Sequence, residues 1–224
     1  MNAKAYPSLP YIAPFAAFMA IMALGQALPG GIEILYPLRV LVVFGVLLFF
    51  SRGVLDFRVT AALGAILLGA AVFVIWVAPD LLWPAYRSHW LFTNAITGEA
   101  KSTAPESLRS NVVFIVFRTV GCVLLVPVIE ELFWRGWLSR WLIDANDFTR
   151  VKLGEYTPMS FWVGSLLFAS EHGPYWEVGM LAGMAYNWWM RRTRSLGDCI
   201  LAHAVTNGCL SVYVLAAGDW RYWL

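Results

Sequence analysis

The chain has 224 residues, which is enough for one large domain or two small ones. Hydrophobic residues make up 60% of it and charged residues 13%, whereas soluble domains average about 25% charged residues. This composition excludes intrinsic disorder, a coiled coil and an ordinary soluble enzyme, and it indicates a polytopic membrane protein. The net charge of +2 gives no indication of nucleic-acid binding.

Seven apolar segments approach the length of about 20 residues that a membrane-spanning helix needs. The predicted spans, in chain order, are 11–28, 34–50, 59–78, 112–143, 159–171, 175–190 and 196–217. An eighth span results if 112–143 is two segments. A polar stretch at 79–110 contains Trp83 and Trp90, which are typical interfacial anchors. The sequence therefore predicts an all-α membrane bundle of seven or eight transmembrane helices.

We expect the whole chain to form one membrane domain built from two parts. Residues 1–110 supply three N-terminal spans and a polar outer loop, and residues 111–224 contain the polar motifs described below. Small residues four apart, such as Ala65 and Gly69, predict that helices pack closely at these positions.

The positive charges predict how the spans are oriented. With the N-terminus inside, the outer loops hold Arg87, Lys101 and Arg109. The inner loops then contain the larger set, which is Arg52, Arg58, Arg150, Lys152, Arg191, Arg192 and Arg194. This asymmetry follows the positive-inside rule. We therefore expect the N-terminus inside and the C-terminus outside.

The first polar motif inside an apolar span is Glu130-Glu131-x-x-x-Arg135. Glu131 and Arg135 are four residues apart on a helix, with the acid nearer the N-terminus, and this order favours an ion pair. Glu130 lies about 100° around the helix and lacks that partner, so it is a candidate general base. A simpler interpretation is a surface Glu–Arg bridge with a solvated Glu130.

Two further motifs place polar groups in spans, where ionisable residues are costly and commonly functional. The first is Phe168-x-x-x-His172, in which the following Gly173-Pro174 should end the helix. The second is His203-x-x-x-Asn207, whose two side chains share one helix face. Taken alone, the first could be an interfacial histidine and the second a packing hydrogen bond.

The depth of these residues suggests one shared site. At 1.5 Å per residue, Glu130, His172 and Asn207 lie about 20 Å from the predicted inner surface, and His203 about 14 Å. We therefore expect a polar cavity near mid-membrane that opens inward. Pro127, one turn before Glu130, would loosen the helix there.

The three motifs together resemble those of the CAAX prenyl endopeptidase and bacteriocin-processing family of intramembrane proteases. Their order, spacing and placement match over 112–217, and the ordered set is specific although each motif alone is weak. The chain is also similar to a bacterial subgroup of CAAX-protease-related proteins associated with surface-protein sorting. The resemblance implies a bundle of about eight helices in the bacterial inner membrane, acting on a peptide or protein substrate. The implied roles are a water activated by Glu130 and His172, an oxyanion stabilised by His203 and Asn207, and a brace formed by Glu131 and Arg135.

The family has long been described as metalloendopeptidases. If a metal were bound, Glu130, His172 and His203 would hold zinc, with Glu131 as the base. Asn207 is a better hydrogen-bond donor than zinc ligand, and the H-E-x-x-H zinc signature is absent from the sequence. We therefore favour no metal cofactor.

Two other functions fit the same residues. One is a non-catalytic immunity or scaffold protein of the same family. The other is a transporter that uses the buried acid and histidines, and the lack of a detectable internal repeat counts against it. The intramembrane endopeptidase is the favoured hypothesis.

Overall fold

The computed structural model describes residues 6–28 and 31–223. These residues form helices and no strand, and seven of the helices are longer than ten residues. In chain order the seven are α1 Leu9–Ala27, α2 Gly31–Phe50, α3 Ala62–Leu82, α4 Val112–Trp141, α5 Pro158–Ser170, α6 Trp176–Thr193 and α7 Leu196–Ala217.

Four of the seven helices, α2, α3, α4 and α7, are long and apolar enough to cross a membrane. Helices α1 and α5 are shorter apolar helices, and α6 contains more polar side chains. The all-α membrane architecture is confirmed, while a count of seven or eight transmembrane helices stays a prediction. The segment predicted as one or two spans, 112–143, is a single helical run in the structure.

Helix α4 is continuous but irregular. It contains two π-helical stretches, Gly121–Leu125 and Leu132–Leu138, on either side of Val126–Glu131. A π turn widens the helix by one residue, and such turns occur frequently at functional sites. The Glu130-Glu131 pair lies directly before the second one.

Helices α3 and α7 run in parallel and approach closely. Ala65 is fully buried, and a Cβ atom at Gly69 would collide with the backbone oxygen of Ala202 and with Val205. Thr206 Oγ1 also donates to the Gly69 carbonyl at 2.9 Å. The predicted role of the small residues in helix packing is confirmed at this contact.

The two helices are also joined where both begin. Asp198, fully buried near the start of α7, accepts hydrogen bonds from Thr60 N (2.8 Å), Thr60 Oγ1 (2.6 Å) and Ala61 N (3.0 Å). Ala61 is the N-cap of α3 and provides no side-chain cap of its own. Asp198 thus satisfies helix-end donors that would otherwise lie unpaired.

The connecting segments gather at two ends of the bundle. We call the end that contains Arg58, Tyr156 and Arg191 the basic end. There, Ser195 Oγ donates to the Arg58 carbonyl at 2.7 Å, and the Arg191 guanidinium lies 4.5 Å from the Tyr156 ring centre. At what we call the loop end, Thr103 N donates to the Trp223 carbonyl at 2.9 Å. The arginine-rich loops of the sequence therefore share one end, and the long 83–111 segment lies at the other.

We expect replacement of Asp198 by alanine to destabilise the bundle, because three donors would lose their buried acceptor at a cost of about 3 kcal/mol or more. Asp147→Ala is a matched control, since the Asp147 side chain is 38% exposed. Thermal unfolding of the purified proteins in detergent measures the difference. Equal melting temperatures for the two variants would contradict the assigned role.

Candidate functional site

The buried centre of the site is an ion pair shared with a histidine. Arg135 Nη1 donates to Glu131 Oε1 at 3.1 Å, and both side chains are almost fully removed from solvent. His203 Nδ1 lies 2.9 Å from the same oxygen. A carboxylate only accepts, so Nδ1 holds a proton and the Nε2 edge of the ring is left for other contacts. The motif on α4 therefore orients the motif on α7.

Arg135 also makes hydrogen bonds to α6, in addition to its ion pair with Glu131. Its Nε donates to Asn187 Oδ1 at 3.0 Å and its Nη2 to the Gly183 carbonyl at 3.2 Å, both on α6. Asn187 Nδ2 in turn donates to Ser165 Oγ at 2.9 Å and to the Phe161 carbonyl at 3.2 Å on α5. The sequence analysis missed Asn187, although a lone amide in an apolar segment is a signal that could have found it.

His172 lies just beyond the end of α5. Its Nδ1 is 2.8 Å from the Phe168 carbonyl, an acceptor of the last helical turn. Because a carbonyl cannot donate, Nδ1 again holds a proton, and in the neutral form of the ring the lone pair is at Nε2. The predicted helix stop before Gly173-Pro174 is confirmed, since α5 ends at Ser170.

An aromatic side chain separates the two histidines. The Phe168 ring centre lies 4.8 Å from that of His172 and 6.1 Å from that of His203. The Trp76 ring packs edge-on against His172 at 5.1 Å, and the Tyr186 ring stacks on His203 at 5.1 Å. Trp76 and Tyr186 were not predicted, because aromatic residues in an apolar span give no distinct signal.

Asn207 is held by an acceptor that the irregular turn in α4 leaves free. Val126 N–H bonds to the Gly121 carbonyl five residues back, and the next bond of that series would join residue 127 to Cys122. Pro127 has no N–H to make it. Asn207 Nδ2 donates to the Cys122 carbonyl instead, at 2.9 Å. One amide hydrogen of Asn207 remains for a ligand.

Glu130 points away from the ion pair and into a cavity of about 390 Å³. The four predicted catalytic side chains all line this cavity, and these are Glu130, His172, His203 and Asn207. Glu130 Oε2 is buried and has no hydrogen-bond partner among the described residues. Glu131 and Arg135, predicted to brace the site, lie beside the cavity and do not line it.

The cavity opens at the loop end, and not at the arginine-rich inner surface that the sequence analysis predicted. Its rim includes Glu99, Lys101 and Thr103 of the 83–111 segment, and the side chains of Glu99 and Lys101 are 57% and 79% exposed. These residues belong to the loop end. The expectation of a cavity that opens toward the arginine-rich surface was therefore wrong, because residue counting gives depth but not the side from which a site is reached.

A second buried network fixes the backbone next to His172. Arg87 donates to Asp80 Oδ1 (3.1 Å), Glu177 Oε1 (2.6 Å) and the Pro174 carbonyl (2.5 Å). Tyr222 OH completes it by donating to Asp80 Oδ2 at 3.0 Å. Arg87 was predicted as an outer-loop charge. In the structure it is 5% exposed and anchors the turn that follows His172.

Comparison with known proteins finds one family that is similar to the region of this site. Residues 112–209, a little under half of the chain, match the family described as type II CAAX prenyl endopeptidase Rce1-like. The matched region includes all three motifs on α4, α5 and α7. Searches of curated proteins and of solved structures found no match.

The match to the CAAX prenyl endopeptidase family supports protease activity in general terms. It does not support the metalloendopeptidase interpretation. Among the residues that the structure describes, no three His, Cys, Asp or Glu side chains are grouped so that they could hold a metal ion. The suggested zinc ligands Glu130, His172 and His203 are therefore not assembled as a ligand set.

We expect Asn187→Ala to lower the stability of the bundle, because Arg135 Nε would lose a buried acceptor at a cost of about 1–3 kcal/mol. Asn146→Ala is the control, since Asn146 is exposed in the segment after α4. The measurement is the melting temperature of each purified protein in the same detergent. Equal melting temperatures for Asn187→Ala and Asn146→Ala would contradict the proposed link between α4, α5 and α6.

Proposed function

We propose that the chain is an intramembrane endopeptidase that hydrolyses a peptide bond of a membrane-associated substrate. The observation that carries the proposal is the convergence of Glu130, His172, His203 and Asn207 on one cavity. The family match supports the same activity class. The lipid bilayer and a peptide or protein substrate are the partners that this function implies.

In this proposal Glu130 and His172 activate the attacking water. The unpartnered Glu130 Oε2 faces a cavity and can accept a proton from a bound water. His172 presents the lone pair of Nε2, because its Nδ1 proton is engaged by the Phe168 carbonyl. Two acceptors directed at one volume can orient a water and draw a proton from it.

His203 and Asn207 are the proposed donors to the oxyanion of the tetrahedral intermediate. The Glu131 carboxylate orients His203 through Nδ1, which leaves the Nε2 edge for the oxyanion, and a proton held at Nε2 would be the donor. The second amide hydrogen of Asn207 is the other donor. Fixed donors of this kind are typically worth about 10²–10³ in kcat each. The leaving amine would take its proton from the protonated acid–base pair.

We further propose that no metal takes part. Support comes from Asn207, which is held as a hydrogen-bond donor by the Cys122 carbonyl, and from the two histidine rings, which are separated by the Phe168 ring. These contacts position donors and a general base, and they do not arrange three ligands around a common point.

Glu130→Gln is expected to abolish cleavage, with a loss of at least about 10³-fold, because the amide cannot accept the proton of the water. Glu106→Gln is the matched control, since the Glu106 side chain is 90% exposed at the loop end. The measurement compares the N- and C-termini of membrane proteins in cells that carry each variant. Normal processing with Glu130→Gln would contradict the proposed chemistry and would favour a non-catalytic immunity or scaffold role.

We propose that the chain lies in the bacterial inner membrane with its N-terminus on the inner side. The cavity then opens on the outer side. In a variant without native cysteines, Lys101→Cys should react with a membrane-impermeant maleimide added to intact cells. Arg58→Cys, at the basic end and 86% exposed, should react only after permeabilisation. The opposite pattern would invert the orientation.

A further inference from the structure

A buried arginine in the cavity wall has no acidic partner among the residues that the structure describes. Arg39, on α2, is 6% exposed and lines the same cavity as Glu130. No carboxylate of the described residues lies within salt-bridge distance of it, and its Nε has no hydrogen-bond partner among them. Its guanidinium instead lies 4.4 Å from the ring centres of both Phe18 and Tyr36.

Such an arrangement is costly unless something compensates it. A charged side chain in a membrane span is unfavourable and commonly marks a ligand path. The two aromatic faces stabilise the cation only partly. Two other buried arginines, by contrast, have acidic partners: Arg135 pairs with Glu131 and Arg87 with Asp80. Arg39 is therefore a cation whose partner is best supplied by a ligand.

The surroundings of Arg39 connect it to the catalytic groups. Arg118, 5% exposed, lies over the same Tyr36 ring at 4.9 Å and also lines the cavity. Tyr36 OH is 3.7 Å from Cys122 Sγ, and the Cys122 carbonyl accepts from Asn207. Tyr36 therefore links Arg39 to the residue that holds the proposed oxyanion donor.

We propose that Arg39, positioned by Phe18 and Tyr36, forms a subsite that binds a carboxylate of the peptide substrate. The proposal rests on the proposed endopeptidase function. A peptide offers this chemistry as its C-terminal carboxylate or as an Asp or Glu side chain. Because the subsite adjoins the turn that holds Asn207, the recognised carboxylate lies within a few residues of the cleaved bond. The enzyme therefore selects substrates by an anion as well as by apolar segments.

Peptide binding tests the subsite without requiring turnover. The protein is the full chain with Glu130→Gln, so that hydrolysis does not interfere. The probes are three dansylated, otherwise identical leucine- and alanine-rich peptides: one with a free C-terminal carboxylate, one amidated, and one amidated with glutamate as its last residue. Energy transfer from the tryptophans to the dansyl group gives each Kd in detergent micelles.

The free acid is expected to bind at least about tenfold more tightly than the amide, as for a charged hydrogen bond. Adding Arg39→Gln should reduce this preference to less than about twofold, and Arg39→Lys should retain part of it because the charge is kept. Arg109→Gln is the control, because Arg109 lies at the loop end outside the cavity lining and its loss should leave the preference intact.

Each outcome decides the proposal. Equal affinity for acid and amide, or a preference that survives Arg39→Gln, overturns it. If the glutamate-ended amide binds like the free acid and loses that advantage with Arg39→Gln, the carboxylate subsite is supported and its ligand is a side chain. The acid-to-amide comparison needs no change at Arg39, so it stands even if Arg39→Gln does not fold. Because Glu130→Gln is present throughout, failure here leaves the cleavage experiment on the wild type independent.

Discussion

The structure depends on one ion pair that has no access to solvent. Glu131 and Arg135 are fully buried in an apolar bundle, and a buried pair repays its desolvation only if the remaining donors are satisfied. Arg135 therefore reaches α6 through Asn187 and Gly183, and Glu131 reaches α7 through His203. These contacts fix the rotation of the helices that surround the cavity. Removing one member would leave an uncompensated charge, so the requirement for satisfied polar groups also determines where the catalytic side chains point.

Consecutive acids have opposite surroundings because a helix turns about 100° per residue. Each acid has one buried oxygen without a hydrogen-bond partner among the described residues, but their other contacts differ. Glu131 lies on the packed side of α4, where its Oε1 is shared by Arg135 and His203, whereas Glu130 lies on the cavity side. The irregular helix contributes to this separation. Pro127 and the π-helical turn free the Cys122 carbonyl, which then holds Asn207. A local backbone defect in one helix thereby orients a side chain in another, and a regular helix would provide no such acceptor.

The sequence was sufficient for the helices and for the polar residues that line one cavity, because both depend on local signals. Apolar length gives a span, and an ionisable residue inside it is conspicuous. Rotational and lateral placement depend on contacts between distant segments, and spacing says nothing about them. For this reason Arg39 and Arg87 could be seen as charges but not as the wall of a cavity and the anchor of a turn. The direction in which the cavity opens could not be predicted for the same reason, because it depends on where Glu99, Lys101 and Thr103 lie relative to the helices.

The loop end and the site are joined by direct hydrogen bonds and packing contacts. Arg87 bonds to the Pro174 carbonyl, two residues after His172, and also to acids on α3 and α6. Gly173, between them, has φ +50°, and a Cβ atom there would press on the Thr97 carbonyl. Only glycine combines this left-handed backbone with so close an approach. The segment that contributes Glu99 and Lys101 to the cavity therefore packs, through Thr97, against the turn that follows His172, so the entrance and the proposed base are positioned by neighbouring contacts.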